Sequence, residues 1–411
     1  MRISSFGNGT LAVCAAAMLA ACGAGSGTPF NLSSTGLPAE RTNTRPAYSE
    51  LYSFEGSPGD GAYPYAGLVN VNGTLYGTTS YGGAECYSSY GCGTVFSITT
   101  SGAEKVLYAF GKGGYNDGAD PTDDLIAVAG TLYGTTSGGG TRSDGTVFAI
   151  TPSGTETVLH SFKGSPDGFD PFGGLVNVKG TLYGTTEYGG RGDGTVFAIT
   201  TSGKETVLYS FGGGSGDGAH PYAGLINVNG MLYGTTYSGG GAGCYSNFGC
   251  GTIFSITTAG KERLLHIFGT GTDGENPRAG LINVNGTLYG TTTGGGANGD
   301  GTVFAITTSG NESVLYSFKG RPDGRNPVAG LINVNGTLYG TTLDGGRRCP
   351  KHGGCGAIFS ITTSGVETVL HSLGGSGGAY PEAGLINVNG TLYGTTLAGG
   401  TSNGTVFSLS P

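Results

Sequence analysis

The string Leu-Tyr-Gly-Thr-Thr occurs seven times in 411 residues, with its Tyr at positions 76, 133, 183, 233, 289, 339 and 393. A period near 50 residues means one supersecondary unit that buries its apolar face only against copies of itself. Each unit carries four strand-like runs. In the first they are 67–71, 74–79, 93–99 and 104–110. Asn72-Gly73 joins the first two and suits a type I′ hairpin, whose central residues both need positive φ. Thr100-Ser101-Gly102 joins the last two. Four short antiparallel strands per period predict a propeller blade. Gly makes up 87 residues without a three-residue period, which fits many tight turns and excludes collagen.

The chain stops at Gly404-Thr-Val-Phe-Ser-Leu-Ser-Pro411, a third strand with no fourth after it. The matching fourth strand, Ser49-Glu-Leu-Tyr-Ser-Phe54, precedes the first unit. Pairing the two closes a ring and removes an exposed edge. The expectation is therefore an all-β, seven-bladed propeller of four-stranded antiparallel blades over 48–411, with the N-terminal strand completing the last blade. The strings Leu-Tyr-Gly-Thr-Thr, Gly-Thr-Val-Phe-Ser-Ile-Thr and Val-Leu-Tyr-Ser-Phe closely resemble the GloVer choice-of-anchor tandem-repeat family across residues 48–411. The resemblance implies display outside the cytoplasm behind a surface anchor, and no particular activity.

An anchor is legible at the start. Arg2 precedes an apolar run, Leu11 to Ala21, that is too short to span a bilayer. It ends in Leu19-Ala20-Ala21-Cys22, which resembles the lipobox of bacterial lipoproteins. Residues 1–21 are then a signal peptide, and 22–47 a lipidated Cys22 with a flexible Gly/Ser/Thr/Pro tether. An ordinary signal cleaved after an Ala-x-Ala site is the alternative. Several acyl chains on one cysteine anchor firmly where one would not. Gly23 stands where an Asp would resemble an inner-membrane retention signal, so the expected place is the outer membrane or cell surface. A formal charge of −8 argues against nucleic acid as a partner, since phosphate binding needs a basic face. A monomer is expected.

The turns that are nearly constant between blades fall on one face of a propeller. The variable loops, from second to third strand and from blade to blade, fall on the other, where binding resides. Six cysteines lie in those loops as Cys86/Cys92, Cys244/Cys250 and Cys349/Cys355. After export disulfides are the natural state. Zinc is the rival, but each loop offers two thiolates, with His352 beside one pair only. Asp-Gly recurs before the first strand at Asp60, Asp117, Asp167, Asp217, Asp273 and Asp323. Turn chemistry, with Asp bonding its own backbone and Gly at positive φ, accounts for it. A calcium site per blade is the alternative, short of the six or more oxygens needed.

The residue after the Pro that follows sits where first strands begin, at the channel mouth. Around the ring it runs Tyr65, Thr122, Phe172, Tyr222, Arg278, Val328 and Glu382, and blade two replaces the usual Ala-Gly with Asp123-Asp124. Variation amid constant neighbours reads either as drift at an exposed slot or as a ligand mouth. On the second reading Tyr65, Phe172 and Tyr222 supply aromatic walls, and Asp123, Asp124, Arg278 and Glu382 the polar contacts. Of five histidines, His160, His266 and His371 replace a fourth-strand Tyr and read as outer packing. No nucleophile, triad or metal-ligand cluster stands out, so neither a cofactor nor a catalytic residue is expected. The leading expectation is an envelope-anchored module binding a glycan, peptide or protein. A propeller enzyme of lyase or glycosidase type at the mouth, and an adhesive spacer, are the alternatives.

Overall fold

The strand Ala47–Ser53 pairs antiparallel with Thr405–Ser410, joining the two ends of the chain in one sheet. This closure is the expected one. The computed structural model describes residues 46–411 except 84–85, 87–89, 242–247 and 350–353. The expected signal peptide, Cys22 and the tether up to residue 45 lie outside the described residues, as do Cys244 and His352.

Seven four-stranded antiparallel sheets form the blades. In the first, Val69–Val71, Thr74–Thr79, Thr94–Thr99 and Glu104–Ala109 follow in order. Asn72 and Gly73 both have positive φ, as the hairpin requires. Five two-residue ribbons, such as Gly61–Ala62 with Tyr81–Gly82, tie each of five blades' incoming connection to its second-to-third-strand loop. They are too short to leave a periodic signal in sequence.

The two central strands of each blade are buried on both sides because neighbouring blades cover both faces. The Phe of Gly-Thr-Val-Phe lies across the Gly of Leu-Tyr-Gly on the adjoining strand. A Cβ at Gly77, Gly134, Gly184, Gly234, Gly290, Gly340 or Gly394 would sit 2.5–2.7 Å from that ring. The ring's other contact is the Phe that ends the preceding blade's outer strand. Six such pairs (Phe54–Phe96 through Phe318–Phe359) meet edge-to-face at 5.1–5.3 Å between centroids. The seventh junction uses Leu373 in the cluster with Phe407.

Polar contacts repeat with the same register. The first motif Thr of five blades donates to a carbonyl of the next blade, as Thr395 does to Ala66 at 2.9 Å. At the rim, an outer-strand Tyr or His bonds the Asp of Asp-Gly across six junctions, from Tyr52–Asp60 at 2.9 Å to Tyr316–Asp323 at 2.8 Å. The first Glu of the next outer strand stands beside that Asp. Burial, reinforced by the Asp charge, pushes the carboxyls of Glu104, Glu156, Glu205, Glu262, Glu312 and Glu367 up to about 7. At the seventh junction Tyr48 stacks on His371 at 4.1 Å instead, and its hydroxyl donates to the Gly377 carbonyl.

Two outcomes follow from these contacts. Phe54→Ala should cost about 3–5 kcal/mol in denaturant unfolding, as for a buried aromatic elsewhere. Phe54→Leu should cost less, because Leu373 fills the equivalent place. Equal losses would show that the shape of the ring, not the volume it fills, sets the junction. The six glutamates bind protons more tightly folded than unfolded, so their contribution is complete below about 4.3 and is lost as pH rises through about 7. The melting temperature should therefore be higher at pH 5 than at pH 8, and Glu→Gln changes at these positions should flatten the difference.

Candidate functional site

The seven slots that differ from blade to blade all line one cavity of about 770 Å³ at the channel mouth. What places them is the turn before each first strand. Here one sequence expectation fails. The Gly of Asp-Gly does not supply the positive φ. That conformation falls two residues later, on Tyr63, Asp120, Asp170, His220, Asn276 and Asn326, each immediately before the Pro. The Gly is needed for close approach: a Cβ on Gly61 would lie 2.5 Å from the Thr79 side chain. The Asp part of the expectation holds, since the Asp60 carboxylate accepts from its neighbour Gly61 N–H at 2.6 Å and from Glu55 N–H at 2.7 Å. At Asp117 both oxygens are likewise taken, by Tyr108 and the N–H groups of Gly111, Gly113 and Gly118.

Phe172 and Tyr222 stand side by side, centroids 5.3 Å apart and tilted by 33°. Tyr237 meets Tyr222 edge-on at 5.5 Å. The Arg278 guanidinium lies over the Tyr222 ring at 5.5 Å and pairs with Glu382 at 3.1 Å. Val328, between those two slots in the ring, is buried. Burial raises the Glu382 carboxyl, and the Arg278 charge opposes the rise. Burial, then the Glu187 carboxylate, holds the Tyr222 hydroxyl protonated well above its ordinary range. It is therefore a donor at any physiological pH. Tyr65 is raised in the same way, by burial and then Glu382.

The acidic pair of blade two has a second role. Asp123 accepts from Asp124 N–H at 2.6 Å and from Gly174 N–H in blade three. Asp124 accepts from Gly67 N–H in blade one at 2.5 Å. These bonds replace the Thr-to-carbonyl links missing on both sides of this blade, where the buried Thr78 and Thr135 hydroxyls have no partner. Both carboxyls are raised by their surroundings, Asp123 further by the Asp124 charge. Asp123 thus serves the ring with both oxygens, and Asp124 keeps one for the channel.

Sequence reasoning missed other mouth residues. The slot after Leu-Tyr-Gly-Thr-Thr also varies, giving Ser80, Ser137, Glu187, Tyr237, Thr293, Leu343 and Leu397. Counting variation at that slot would have found Ser80 and Ser137, which line the cavity, and Glu187 and Tyr237, which stand against Tyr222. Asp120 lines the cavity as well, its carboxyl pushed by burial up to about 6. Tyr90 and Phe248, 71% and 74% exposed, each stand two residues before a staple cysteine. Cys86–Cys92 and Cys349–Cys355 are disulfides within their own loops, and Cys250 is disulfide-bonded.

A family model described as the Gloeobacter/Verrucomicrobia repeat matches residues 23–248 and 244–411, in accord with the resemblance read from the repeats. No curated protein matches the chain. Among solved structures, it is similar to a luciferin-regenerating enzyme at 14% identity and a TM-score of 0.41, covering 69% of this chain and 88% of that one. It is also similar to a protein assigned to the gluconolactonases, at 14% identity and a TM-score of 0.41, covering 70% of this chain and 87% of that one. Neither likeness bears on what this chain does.

If Asp123 replaces the missing link, Asp123→Ala should cost about 1–3 kcal/mol by stranding the Gly174 N–H. Adding Asp124→Gly should recover part of that loss, because the Thr78 hydroxyl regains the arrangement of the other blades. A double variant less stable than the single in urea unfolding would contradict this role.

Proposed function

The chain belongs to the Gloeobacter/Verrucomicrobia repeat family, and we propose that its propeller is a binding module, held at the cell envelope through Cys22, that takes a glycan at the channel mouth. The observation carrying this reading is the Phe172–Tyr222 platform beside the Arg278–Glu382 pair. Aromatic faces offer large contact area at low entropic cost. A sugar ring presents an apolar C–H face to such a platform and hydroxyls to a carboxylate, a guanidinium and a Tyr O–H. The cavity volume is in the range of ligand sites. Stapled loops around the mouth lower the ordering cost of binding.

A glycan and peptide array screened with the purified protein tests the proposal. A glycan hit is expected, weakened about fivefold or more by Phe172→Ala or Tyr222→Ala, which is about 1 kcal/mol each. Asn229→Asp, in a turn on the opposite face, should leave affinity unchanged. The reverse pattern would place binding on the wrong face. Peptide hits alone would overturn the ligand class. Cys22→Ser should move the protein from the membrane fraction to the soluble one, and a variant still retained after a carbonate wash would overturn the anchor.

An enzyme at the same mouth is the second reading, favoured by Asp120. A carboxyl raised to about 6 is in the range of a general acid at neutral pH. Turnover of an array hit that is lost in Asp120→Asn would replace binding with catalysis.

A further inference from the structure

At two of the six rim junctions the Asp is met by histidine instead of tyrosine. His160 Nε2 lies 3.2 Å from Asp167 Oδ2, and His266 Nε2 lies 3.0 Å from Asp273 Oδ2. Glu205 and Glu312 complete the two clusters, with one potential ligand atom from each residue within 4.8 Å of the other two. We propose that each cluster, His160–Asp167–Glu205 and His266–Asp273–Glu312, holds one first-row divalent cation of the zinc class, pinning the blade that carries the His to the blade that carries the Glu.

Three observations carry this. The donor set of one imidazole and two carboxylates suits such an ion, leaving a fourth, tetrahedral position for water. The His-to-Asp separations of 3.2 and 3.0 Å are hydrogen-bond distances that need to open by only about 0.1–0.4 Å to reach the edge of a tetrahedron with bonds of about 2.0–2.1 Å, which is about 3.3–3.4 Å. Glu205 Oε1 and Glu312 Oε1 are buried with no hydrogen-bond partner, as are the matching Glu104, Glu156 and Glu367 oxygens at Tyr junctions, and Asp167 Oδ1 is an orphan found at a His cluster and at no Tyr junction. Buried carboxyl oxygens without partners are costly, and a cation, displacing any proton held on the Glu, answers both carboxylates at once.

The remaining junctions are an internal control. Tyr52, Tyr108, Tyr209 and Tyr316 occupy the place of the His and donate their hydroxyl to the Asp. A protonated phenol offers no ligand nitrogen, so those junctions are hydrogen-bonded clasps with the same shape. The third histidine of the set, His371, has Gly378 instead of an Asp after it and stacks on Tyr48, so it forms no cluster. Spacing therefore separates the two kinds: His is followed seven residues later by Asp only at His160 and His266.

The control supplies the experiment. The full chain, stripped with chelator, is dialysed against micromolar zinc chloride, and bound zinc is counted by mass spectrometry. Two equivalents are expected in the parent, one in His160→Tyr or His266→Tyr, and none above background in the double variant. Tyr is resident at four equivalent places, so the variants should fold. Zinc should raise the melting temperature of the parent and not of the double variant. Glu205→Gln with Glu312→Gln keeps the side-chain shape and should weaken zinc at least tenfold, a second reading should the Tyr variants fail to fold. Equal zinc content in the parent and in the His double variant, or unchanged affinity in the Gln variant, overturns the proposal.

Discussion

The ring rests on a phenylalanine whose tip fills the space above a glycine. In every blade the Phe of the third strand covers the Gly of Leu-Tyr-Gly on the second, where any Cβ would collide with it. The same ring meets the preceding blade's outer-strand Phe edge-to-face at six of seven junctions. The two most constant motifs in the chain are thus the two halves of one contact. Phe54 carries the contact across the point where the ends meet, packing with Leu68, Leu75 and Phe96 on one side and Val388, Tyr393 and Val406 on the other. Fully buried aromatics with no room for replacement fix blade spacing, and blade spacing fixes the channel.

With spacing set in the middle of each blade, the two ends of the sheets are released for different work. The rim holds polar clasps whose composition alternates between Tyr and His, with a stack in place of one clasp. The mouth holds side chains that need only fit the space above the first strands. Blade two shows the limit of that freedom. Its Asp123 and Asp124 disturb the Thr-to-carbonyl links on both sides, and the same carboxylates make good the loss by reaching to Gly174 and Gly67. A change at the mouth there came with its own structural repair.

The blade pattern, the ring count and the strand exchange at closure were legible because they are periodic. Leu-Tyr-Gly-Thr-Thr, Asn-Gly and the displaced strand Ser49–Phe54 recur or complete a recurrence, and strand geometry follows from alternation and turn type. Positive φ was misplaced onto the Gly of Asp-Gly, because turn propensity says which residue tolerates that conformation and not which position demands it. What requires Gly at that place is the close approach of Thr79 on another strand, not its φ. The His160 and His266 clusters escaped for a related reason. Their Glu lies on the next blade's outer strand, and only the three-dimensional junction brings it beside the Asp. The mouth was half legible. Slots after Pro stood out, whereas Glu187 and Tyr237, behind a different constant string, did not, and nothing in the spacing showed that Arg278 would choose Glu382 two blades away over the acidic pair of blade two.

The central claim is that stability resides in the Phe-over-Gly junctions and that the mouth slots are free to vary. Comparing denaturant midpoints of two valine variants tests it most directly. One carries Tyr65→Val, Phe172→Val and Tyr222→Val together, valine being the resident of that ring at Val328. The other carries Phe96→Val alone. The account predicts that the triple mouth variant unfolds at the higher denaturant concentration, close to the parent. A triple variant less stable than the single core variant would contradict it.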